Sequence, residues 1–514
     1  MNDNKLVLRV ENNSTFISGK MSSDTYDKFK KKLGYLPENS FWMVRNNQDK
    51  AGEHEKWKKD WDGYISAVCW NKNFCHCHLK KQGLHFHTGL LSRAVDFFKE
   101  HNISFQRIDC RQKTEKTDIY SMSNEFEFRD YQQEVINKVV GTQQTKGVDR
   151  GILKLATGSG KTAVSAGIIA GMGVSPTIFY VPSIDLLKQA KDEFEKFVKY
   201  HNIPVEVGMI GGGSKDIKDI NVMTIQTAVR ALGGVWKKFD EEDNFNDTTN
   251  IDDIRSEIQD LIYSSKLMLC DEVQHWAAET CQIISDASLS CQYKFGLSAT
   301  PYRDQGDDIL IEGCFGRTIA DISASFLIDK GYLIQPTIYF NKINNMRGLG
   351  RTSYANVYKQ AIVENSFRNS QIVEMTDRFL NNERKILILV KQINHGKILE
   401  ELIPDSTFLH GGTGKKKRQK HLDKMRKGDP QVTIASVIFD EGIDVRPLDT
   451  LILAGGGKSP TRALQRIGRI LRPHEGKIDA IAVDFMDECK YMKSHSKRRL
   501  NIYKTEERFE IIGE

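Results

Sequence analysis

GILKLATGSGKT, residues 151–162, is the stretch that best indicates the fold. Its apolar run GILKLA predicts a strand and a helical pattern begins at Lys161, so LATGSGKT lies between a strand and a helix. A phosphate-binding loop requires that context, because Gly158 and Gly160 let the backbone turn tightly and the helix N-terminus directs N–H groups toward phosphate oxygens. Leu155 stands where the complete motif has its first glycine. The stretch therefore predicts an α/β domain whose nucleotide-binding loop departs from the motif at one position.

Short apolar runs alternate with helical patterns on both sides of this stretch. Parallel sheets covered by helices have this pattern, because their strands are buried throughout and need helical crossovers. We therefore predict two α/β domains, at 116–325 and 340–514, with Ser183 as a helix N-cap in the first. At the junction, ISASFLIDKGYLIQPTI predicts a helix followed by a strand. The predicted strands are GILKLA, PTIFYVP, INVMTI, KLMLCDE and YKFGLSAT in the first domain, and KILILV, STFLHG, QVTIAS, TLILAG and IDAIAVDF in the second.

Residues 1–115 differ from the rest, since they hold four of the six tryptophans and most of the close Cys/His pairs. We predict a separate small α+β domain. A zinc site is one hypothesis, with seven candidate ligands: Cys69, Cys75, His76, Cys77, His78, His85 and His87. No C-x₂-C pair occurs, and neighbouring side chains on a strand point to opposite faces, so a β-hairpin with a turn at WNKN is the favoured alternative.

The composition is that of a globular protein without membrane spans. The 514 residues are 39 % hydrophobic and 28 % charged, and this length predicts two to four domains. No apolar run approaches the ~20 residues of a membrane helix, and MNDNKLVLRV lacks a signal-peptide core. Nine scattered cysteines argue against a disulfide framework. We expect an intracellular, cytoplasmic protein with no membrane partner.

Charge is unevenly distributed along the chain. The net charge of +6, from 74 basic and 68 acidic residues, says little about partners by itself. Residues 240–260 hold nine acids against Arg255, which we interpret as a surface insertion. Residues 415–427, KKKRQKHLDKMRK, hold eight bases against Asp423. This basic run is either a solvated face or a contact for a polyanion.

Four side chains suit a bound nucleotide. Lys161 would neutralise the β- and γ-phosphates, and the Thr162 hydroxyl would ligate Mg²⁺. In LMLCDEVQHW (267–276) an apolar strand ends in Asp271–Glu272. Asp271 can hold Mg²⁺ through water, and Glu272 can orient or deprotonate the attacking water. We therefore predict an ATP hydrolase that uses ATP and Mg²⁺.

QRIGRILRP, residues 465–473, places three arginines three residues apart. Arg466, Arg469 and Arg472 would share one side of a helix. No acidic run adjoins them, and an always-ionised guanidinium suits the γ-phosphate of a nucleotide held at the glycine-rich loop. We predict that Arg469 and Arg472 close on that nucleotide and that Gln465 touches the γ-phosphate or its water. A solvent-facing basic helix is the alternative.

Between residues 128 and 473 the chain resembles superfamily 2 helicases, whose motifs occur here in family order. The matching segments are FRDYQQ (adenine-reading), LATGSGKT (motif I), YVPSIDLLKQ (Ia), VMTIQT (nucleic-acid backbone), DEVQ (II), LSATP (III), ILVKQINHGK (IV), ASVIFDEGIDV (V) and QRIGRILR (VI). The resemblance implies two tandem RecA-like parallel-sheet domains after the small domain, the second with arginine fingers. Gln274 stands where the closest relatives usually have His, so the departure concerns how hydrolysis is coupled to movement.

The resemblance also implies roles for individual residues. Nucleotide contacts would come from Arg129, Gln132, Thr157, Gly158, Ser159, Gly160, Lys161, Thr162, Gly442 and Asp444. Coupling of hydrolysis to movement would involve Ser298, Ala299, Thr300 and Gln274. A nucleic-acid strand would be held by Thr224, Thr227, Arg230, His410, Gly411, Lys415 and Lys416. Such contacts go mainly to phosphates, so we expect low sequence specificity.

The N-terminal region narrows the resemblance. KWKKDWDGYISAV (56–68) and LHFHTGLLSRAVDFFKEHNI (84–103) resemble the DNA-binding front domain of phage UvsW-type helicases, which act in branch migration and recombination. This implies a monomeric ATP-dependent DNA helicase, in the host cytoplasm if phage-encoded. Its partners would be single-stranded, forked or branched DNA rather than RNA, and replication or recombination proteins. The alternatives are a double-strand DNA translocase that does not separate strands, and an ATP-gated RNA-binding clamp.

Overall fold

The computed structural model describes residues 5–38, 40–50, 62–69, 83–114, 128–234, 251–301, 306–343, 353–436 and 445–513. These residues form two compact units that divide at Ile322. The first unit has a small sheet and a large sheet, and the second has one large sheet. None of the helices in these ranges is long and apolar enough to cross a membrane.

A five-stranded sheet forms the N-terminal part of the first unit. Strands here are β1 (Leu6–Val10), β2 (Ser14–Ser18), β3 (Gly34–Tyr35), β4 (Ile65–Ser66), β5 (Val68–Cys69), β6 (His85–His87) and β7 (Phe105–Asp109). The sheet order is β5-β6-β2-β1-β7, and β3 pairs with β4 apart from it. The helices are Ser23–Lys32, Ser40–Lys50, the 3₁₀ turn Thr88–Leu90 and Leu91–Glu100. Phe29 and Phe98 stack at 5.1 Å between ring centroids in the core of this α+β arrangement.

Eight strands form the large sheet of the first unit. They are β8 (Arg150–Leu155), β9 (Thr177–Val181), β10 (Val207–Gly211), β11 (Ser214–Asp216), β12 (Ile220–Thr224), β13 (Leu267–Cys270), β14 (Tyr293–Ser298) and β15 (Thr318–Ile322). Their order is β11-β10-β12-β9-β13-β14-β8-β15, and neighbours from β10 through β8 run parallel. Strands β9 and β13 are buried along their whole length, as the apolar runs predicted. Because parallel strands end at the same edge, the residues after β8, β13 and β14 emerge together.

Helices connect these strands. They are Asp130–Val140, Lys161–Met172, Ile184–Tyr200, Ile225–Ala231, Ile251–Ser264, the 3₁₀ turn Val273–Ala277, Glu279–Ala287 and Asp308–Phe315. The predicted N-cap Ser183 is confirmed, since its hydroxyl accepts a hydrogen bond from the Leu186 N–H at 3.4 Å. The interpretation of 240–260 as a surface insertion is wrong for its described half. Helix Ile251–Ser264 buries Ile258 and Ile262 in the core, at the spacing of an amphipathic helix that the many acids obscured.

Buried polar contacts join the small sheet to the large-sheet part of the first unit. The Asn13 amide donates to the Asp286 and Ser288 carbonyls at 2.9 and 3.2 Å. The Lys294 ammonium donates to Asn13 Oδ1 and to the Ser285 carbonyl, both at 2.7 Å. Lys294 is fully buried, and burial, followed by the charge of Arg150, lowers its pKa to about 8. These contacts form a buried polar seam between the two parts of the unit. If either part were removed, polar groups of the other part would lose their hydrogen-bond partners.

The second unit has a seven-stranded parallel sheet. Its strands are β16 (Pro336–Ile343), β17 (Ile386–Leu389), β18 (Thr407–Leu409), β19 (Val432–Ala435), β20 (Thr450–Ile452), β21 (Ala480–Asp487) and β22 (Glu510–Ile512). Their order is β18-β19-β17-β20-β21-β16-β22, and all these neighbours run parallel. The helices are Ala324–Asp329, Tyr354–Tyr358 continued by the π-turn Lys359–Val363, Ser366–Leu380, Ile393–Leu402, Lys415–Met425, Pro460–Ile470 and Met492–Tyr503. The α/β fold with two parallel-sheet domains is confirmed.

Two buried ion pairs fasten helices to β21. Arg368 Nε lies 2.9 Å from Asp487 Oδ1, and both side chains are 2 % exposed or less. Arg499 makes two bonds to Asp484, at 2.8 and 2.9 Å, and the Tyr503 hydroxyl donates to the same carboxylate at 2.8 Å. A buried carboxylate needs such partners, because it has lost its water.

Candidate functional site

The glycine-rich loop follows β8 at the carboxyl edge of the first large sheet. Gly158 and Gly160 have φ of +87° and +80°, a region that side chains rarely adopt. A Cβ at Gly160 would also lie 2.5 Å from Gln132 Nε2, so a side chain there would displace the Gln132 amide. Gly160 precedes helix Lys161–Met172, whose first N–H groups lack helical partners. The loop has the backbone of a phosphate cradle, as its sequence predicted.

An ion pair joins this loop to the end of β13. Lys161 Nζ lies 2.9 Å from Glu272 Oε1 and 3.5 Å from Asp271 Oδ1, and the three side chains are 13–18 % exposed. Burial alone would lower the Lys161 pKa, but the two carboxylates outweigh it and raise that pKa. Burial opposes ionisation of Glu272 as well, yet Lys161 and then Gln274 bring its pKa to about 2. Glu272 is therefore a carboxylate at neutral pH, the form a general base requires.

Asp271 has the opposite pKa shift. Burial is the largest influence and raises the Asp271 pKa, and the adjacent Glu272 raises it further, while Lys161 acts against both. Two carboxylates beside a single ammonium share its charge unequally. A further cation beside Asp271 would offset the charge of the second carboxylate, which fits a divalent-metal site.

A hydrogen-bonded relay links motif II to motif III. Gln274 Nε2 donates to Glu272 Oε2 at 2.8 Å, and the Ser298 hydroxyl donates to Gln274 Oε1 at 2.6 Å. The Ser298 hydroxyl in turn accepts from the Thr300 N–H at 3.0 Å, across Ala299. Glutamine carries both a donor and an acceptor, so it can make both contacts without titrating. The structure thus connects Gln274 to Glu272 directly and connects Ser298 and Thr300 to it through hydrogen bonds in series.

The segment before the loop helix holds the predicted adenine-reading residues. The Arg129 N–H donates to Gln132 Oε1 at 3.0 Å in a capping box at the start of helix Asp130–Val140. Gln132 is buried, and its amide faces Gly160. Thr157 and Thr162 are half-buried and Ser159 is buried. The structure therefore places Gln132 next to the loop, and its role toward adenine stays a prediction.

The predicted arginine fingers belong to the second unit. Helix Pro460–Ile470 begins at an N-cap, Ser459, and carries Gln465, Arg466 and Arg469, all half-buried. Arg472 does not share this helix, because the helix ends at Ile470 and Pro473 follows. The expectation of three arginines on one helix is therefore wrong for Arg472, since the residue before a proline is disfavoured in the α-helical region.

The predicted nucleic-acid residues lie in both units. Thr224 is buried and caps helix Ile225–Ala231, where its Oγ1 lies 2.8 Å from the Thr227 hydroxyl, so a structural role accounts for it. Arg230, at the end of that helix, is half-buried. His410 and Gly411 follow β18, and the next helix, Lys415–Met425, exposes Lys416 and most of its other bases. Gly442 and Asp444 lie outside the described residues.

Two of the candidate zinc ligands each have a polar partner on one ring nitrogen, which does not by itself exclude the other nitrogen as a ligand, so the zinc hypothesis stays a prediction. His85 Nδ1 contacts the Gly83 carbonyl at 2.7 Å, and His87 Nε2 contacts Asp286 Oδ1 at 3.1 Å. Within the ranges that the structure describes, no group of three potential ligands could hold a metal ion. The other five candidates include Cys75, Cys77, His76 and His78, which lie outside those ranges together with the predicted WNKN turn.

Motif reasoning left one basic segment unassigned. Residues 490–498, KYMKSHSKR, interleave bases with aromatic rings after β21. That interleaving is a recognised signal of nucleic-acid contact, and it was overlooked because no helicase motif covers it. Its geometry is taken up below.

The fold and the site together define a class: an ATP-hydrolysing motor with a phosphate loop, an Asp–Glu pair and two parallel-sheet domains. Residues 125–303 match the family model for the type III restriction enzyme res subunit, and residues 369–474 match the model for the helicase conserved C-terminal domain. The chain belongs to superfamily 2 of the helicases, and it is an ATP-dependent enzyme of that group.

Named relatives support this membership. The chain is 26 % identical over 420 residues to the DNA 3′-5′ translocase XPB2 of Sulfurisphaera tokodaii, covering 73 % of this chain and 86 % of the relative. It is 23 % identical over 459 residues to the ATP-dependent DNA helicase uvsW of Enterobacteria phage T4, covering 84 % and 82 %. A fragment of a putative HsdR subunit of a type I restriction enzyme from Vibrio vulnificus YJ016 shares the fold, with a TM-score of 0.51 and 19 % identity over 71 % of this chain and 66 % of that one.

Proposed function

We propose that this helicase uses ATP and Mg²⁺ to move along DNA and to unwind or branch-migrate forked and recombination intermediates. The observation that carries the ATPase part is the Lys161–Glu272 contact at the carboxyl edge of a parallel sheet. The DNA part is supported by two relatives that are themselves named a DNA translocase and a DNA helicase. We further propose that it acts as a monomer in the cytoplasm, prefers DNA to RNA and works with replication or recombination proteins.

The residues of the site fit a magnesium–nucleotide complex. The Thr162 hydroxyl and the Asp271 carboxylate are hard oxygen donors of the kind that Mg²⁺ prefers. Gly158 and Gly160 have positive φ, which lets this loop turn backbone N–H groups toward phosphate oxygens. When bound, Mg²⁺ would offset the negative charge that develops on the phosphates. Thr162 and Asp271 would hold the metal, and Lys161 would hold the β- and γ-phosphates.

Lys161 has to change partners for this to happen. Its ammonium contacts Glu272 Oε1 at 2.9 Å, and a triphosphate at the loop would draw it away. Glu272 would then lose one partner on Oε1 while Gln274 still holds Oε2. The released Oε1 orients or deprotonates the attacking water. Nucleotide binding would thus prepare the base as well as the substrate.

Arginines of the second unit would complete the reaction. We propose that Arg469 and Arg472 close on the γ-phosphate and that Gln465 contacts it or the attacking water. Closure would then depend on the γ-phosphate, and hydrolysis would release it. The Gln274–Ser298 relay would report the state of Glu272 to motif III. The residues that would bind nucleic acid are Thr227, Arg230, His410, Gly411, Lys415 and Lys416. Gly442 and Asp444 would contact the nucleotide.

The decisive experiment compares ATPase rates on different nucleic acids. Steady-state hydrolysis is measured without nucleic acid and with single-stranded DNA, forked DNA, blunt duplex and RNA. We expect stimulation by single-stranded or forked DNA and strand displacement on the fork. Lys161→Ala should abolish both, and Arg469→Ala and Arg472→Ala should each abolish turnover while ATP binding persists.

Three results would select other functions. Stimulation by duplex without strand displacement would favour a double-strand translocase. Stimulation by RNA alone would favour an RNA-binding clamp. Unchanged turnover in the Arg469→Ala, Arg472→Ala double variant would contradict the two-domain mechanism itself.

A further inference from the structure

A cluster of cationic and aromatic side chains lies at the carboxyl edge of the second unit's sheet. Lys391, Lys458 and Lys490 follow β17, β20 and β21, which are neighbouring strands, and all three are exposed. Parallel strands end at one edge, and ligands of open α/β sheets bind at that edge. Two tyrosines, Tyr354 and Tyr491, complete the cluster, which we call the tyrosine–lysine patch.

The patch is held together by ring contacts. Lys391 Nζ lies 5.8 Å from the Tyr354 ring centroid, and Lys490 Nζ lies 4.9 Å from the Tyr491 centroid. The two tyrosine rings meet edge to face, with centroids 5.8 Å apart and planes at 70°. Cations and aromatic surface are therefore continuous. That combination suits a ligand with both a flat ring and a negative charge.

His495 packs beside Tyr354 at the edge of the patch. The His495 ring lies 5.8 Å from that of Tyr354. Burial, followed by the charges of Arg499, Arg498, Lys458 and Lys391, lowers the His495 pKa to about 4.

Three acids of the described residues near the patch have basic partners of their own. Glu488 is paired with Lys493 at 3.3 Å, and Asp484 and Asp487 are engaged by buried arginines under the surface.

Tyr491 has an unusual backbone. Its φ of +67° and ψ of −47° lie where residues with a side chain are uncommon, and its ring remains 38 % exposed. Such conformations persist only where the surroundings impose them, and they concentrate at ligand-binding sites. Here the backbone turns directly from β21 into helix Met492–Tyr503 and presents the ring at the sheet edge.

We propose that the tyrosine–lysine patch binds single-stranded DNA, with an unstacked base against Tyr491 and neighbouring phosphates against Lys391, Lys458 and Lys490. Aromatic faces accept every base and ammonium groups act as point charges on phosphates, so the contact tolerates any sequence. The inference rests on the proposed function, DNA translocation. Lys391 belongs to the segment that resembles motif IV, whereas Lys458, Lys490 and Tyr491 lie outside the helicase motifs, so the inference adds these three residues to the second unit's contacts.

The test measures binding of a fluorescent oligothymidylate to the full chain by anisotropy. Tyr491→Ala should weaken binding roughly fivefold or more, because one base–aromatic stack contributes that much, while Tyr491→Phe should bind like wild type. Lys458→Ala should flatten the slope of log K against log salt by about 0.7, the value for one phosphate contact to a single strand. ATP hydrolysis without DNA and the melting temperature should stay unchanged in each variant.

Matched controls lie in the same unit. Phe367→Ala removes an aromatic ring that is 44 % exposed on another helix, and Lys504→Ala removes an exposed lysine beyond the far end of helix Met492–Tyr503. Both should bind DNA like wild type. A 5-iodouracil oligonucleotide should also photo-crosslink to Tyr491, mapped by mass spectrometry.

The outcomes separate this inference from the proposed function. If Tyr491→Ala and Lys458→Ala bind DNA as the controls do and no crosslink maps to the patch, the inference is overturned. DNA-stimulated hydrolysis by the wild type would in that case still support the proposed function. If wild type shows no DNA stimulation at all, the proposed function and the inference are overturned together.

Discussion

Each unit buries a cation against a carboxylate that its parallel sheet supplies, but the two pairs differ in how they are sealed. Lys161 and Glu272 meet through one ammonium contact and remain 18 % and 16 % exposed. Arg499 and Asp484 meet through two bonds and are 2 % and 0 % exposed. A single contact beside solvent can be exchanged for a phosphate, whereas a sealed bidentate pair cannot. A cation paired with a carboxylate is thus an exchangeable contact in one unit and a fixed structural contact in the other.

Loss of the exchangeable lysine has the largest expected effect. Lys161→Ala should reduce ATP hydrolysis by roughly 10²–10³-fold, because a preorganised charge at the phosphates is removed. The measurement is steady-state ATPase with the melting temperature taken in parallel. Lys154→Ala, on β8 and paired with Asp321 at 3.0 Å, is the matched control and should hydrolyse ATP normally. Equal rates in the two variants would contradict the assignment of the loop.

Loss of the sealed arginine should affect stability. Arg499→Leu should lower the free energy of unfolding by about 3–5 kcal/mol, because Asp484 is left buried and charged. Urea unfolding followed by circular dichroism measures it. Arg508→Ala breaks an exposed pair with Asp329 and should cost less than about 1 kcal/mol. If both variants lose the same stability, the pair at β21 is not sealed in solution.

The two units should unfold at different acidic pH values. His395 is buried, its Nε2 lies 3.0 Å from Asn369 Oδ1, and burial and then Arg368 lower its pKa to about 3. The unfolded chain takes up this proton near pH 6.5 and the folded chain does not, so stability falls by up to about 1.4 kcal/mol per pH unit from 6.5 toward 3. Glu272 affects stability in a lower pH range. Its folded pKa is about 2, so the carboxylate stabilises the fold above about pH 4.5, and this stability is lost as pH falls toward 2.

Tryptophan emission allows this to be measured, because Trp276 is buried in the core of the first unit and no tryptophan follows it in the sequence. Circular dichroism should detect loss of structure at a higher pH than tryptophan emission does. His395→Gln should remove the difference. Coincident transitions that the substitution does not alter would contradict the prediction.

The smallest expected effect concerns the relay. Gln274→Ala removes the amide between Glu272 and Ser298 and should reduce DNA-stimulated hydrolysis roughly tenfold, the effect of about one hydrogen bond to a charged group. ATPase with and without DNA is the measurement. Gln274→His should retain activity but make it depend on pH between 6 and 8, since histidine titrates there. A pH-independent histidine variant would argue against the relay.

The glycine-rich loop at the carboxyl edge of the first large sheet could be predicted because local sequence determines it. A strand, a glycine turn and a helix start are contiguous, and each end of a buried parallel strand falls at the same edge. The N-cap Ser183 followed from a local signal for the same reason. Arg472 was wrongly placed on the same helix as Arg466 and Arg469, because spacing alone ignores the helix end that Pro473 imposes.

Long-range features could not be predicted in this way. Lys294 lies in a run read correctly as a strand, but nothing nearby shows that Asn13, 281 residues earlier, would accept a hydrogen bond from its ammonium. Arg368 and Asp487 are likewise 119 residues apart. Such pairs depend on which elements pack together, so only the tertiary structure assigns them a partner.

The seam around Lys294 has a practical consequence for anyone who wishes to produce the motor without its front sheet. A shortened polypeptide starting after residue 115 would open to water a lysine that Asn13 now covers, together with the surface beneath His87 and Asp286. Such a fragment would hydrate groups that the full chain keeps paired, so its stability should be compared with that of the full chain before its ATPase activity is judged.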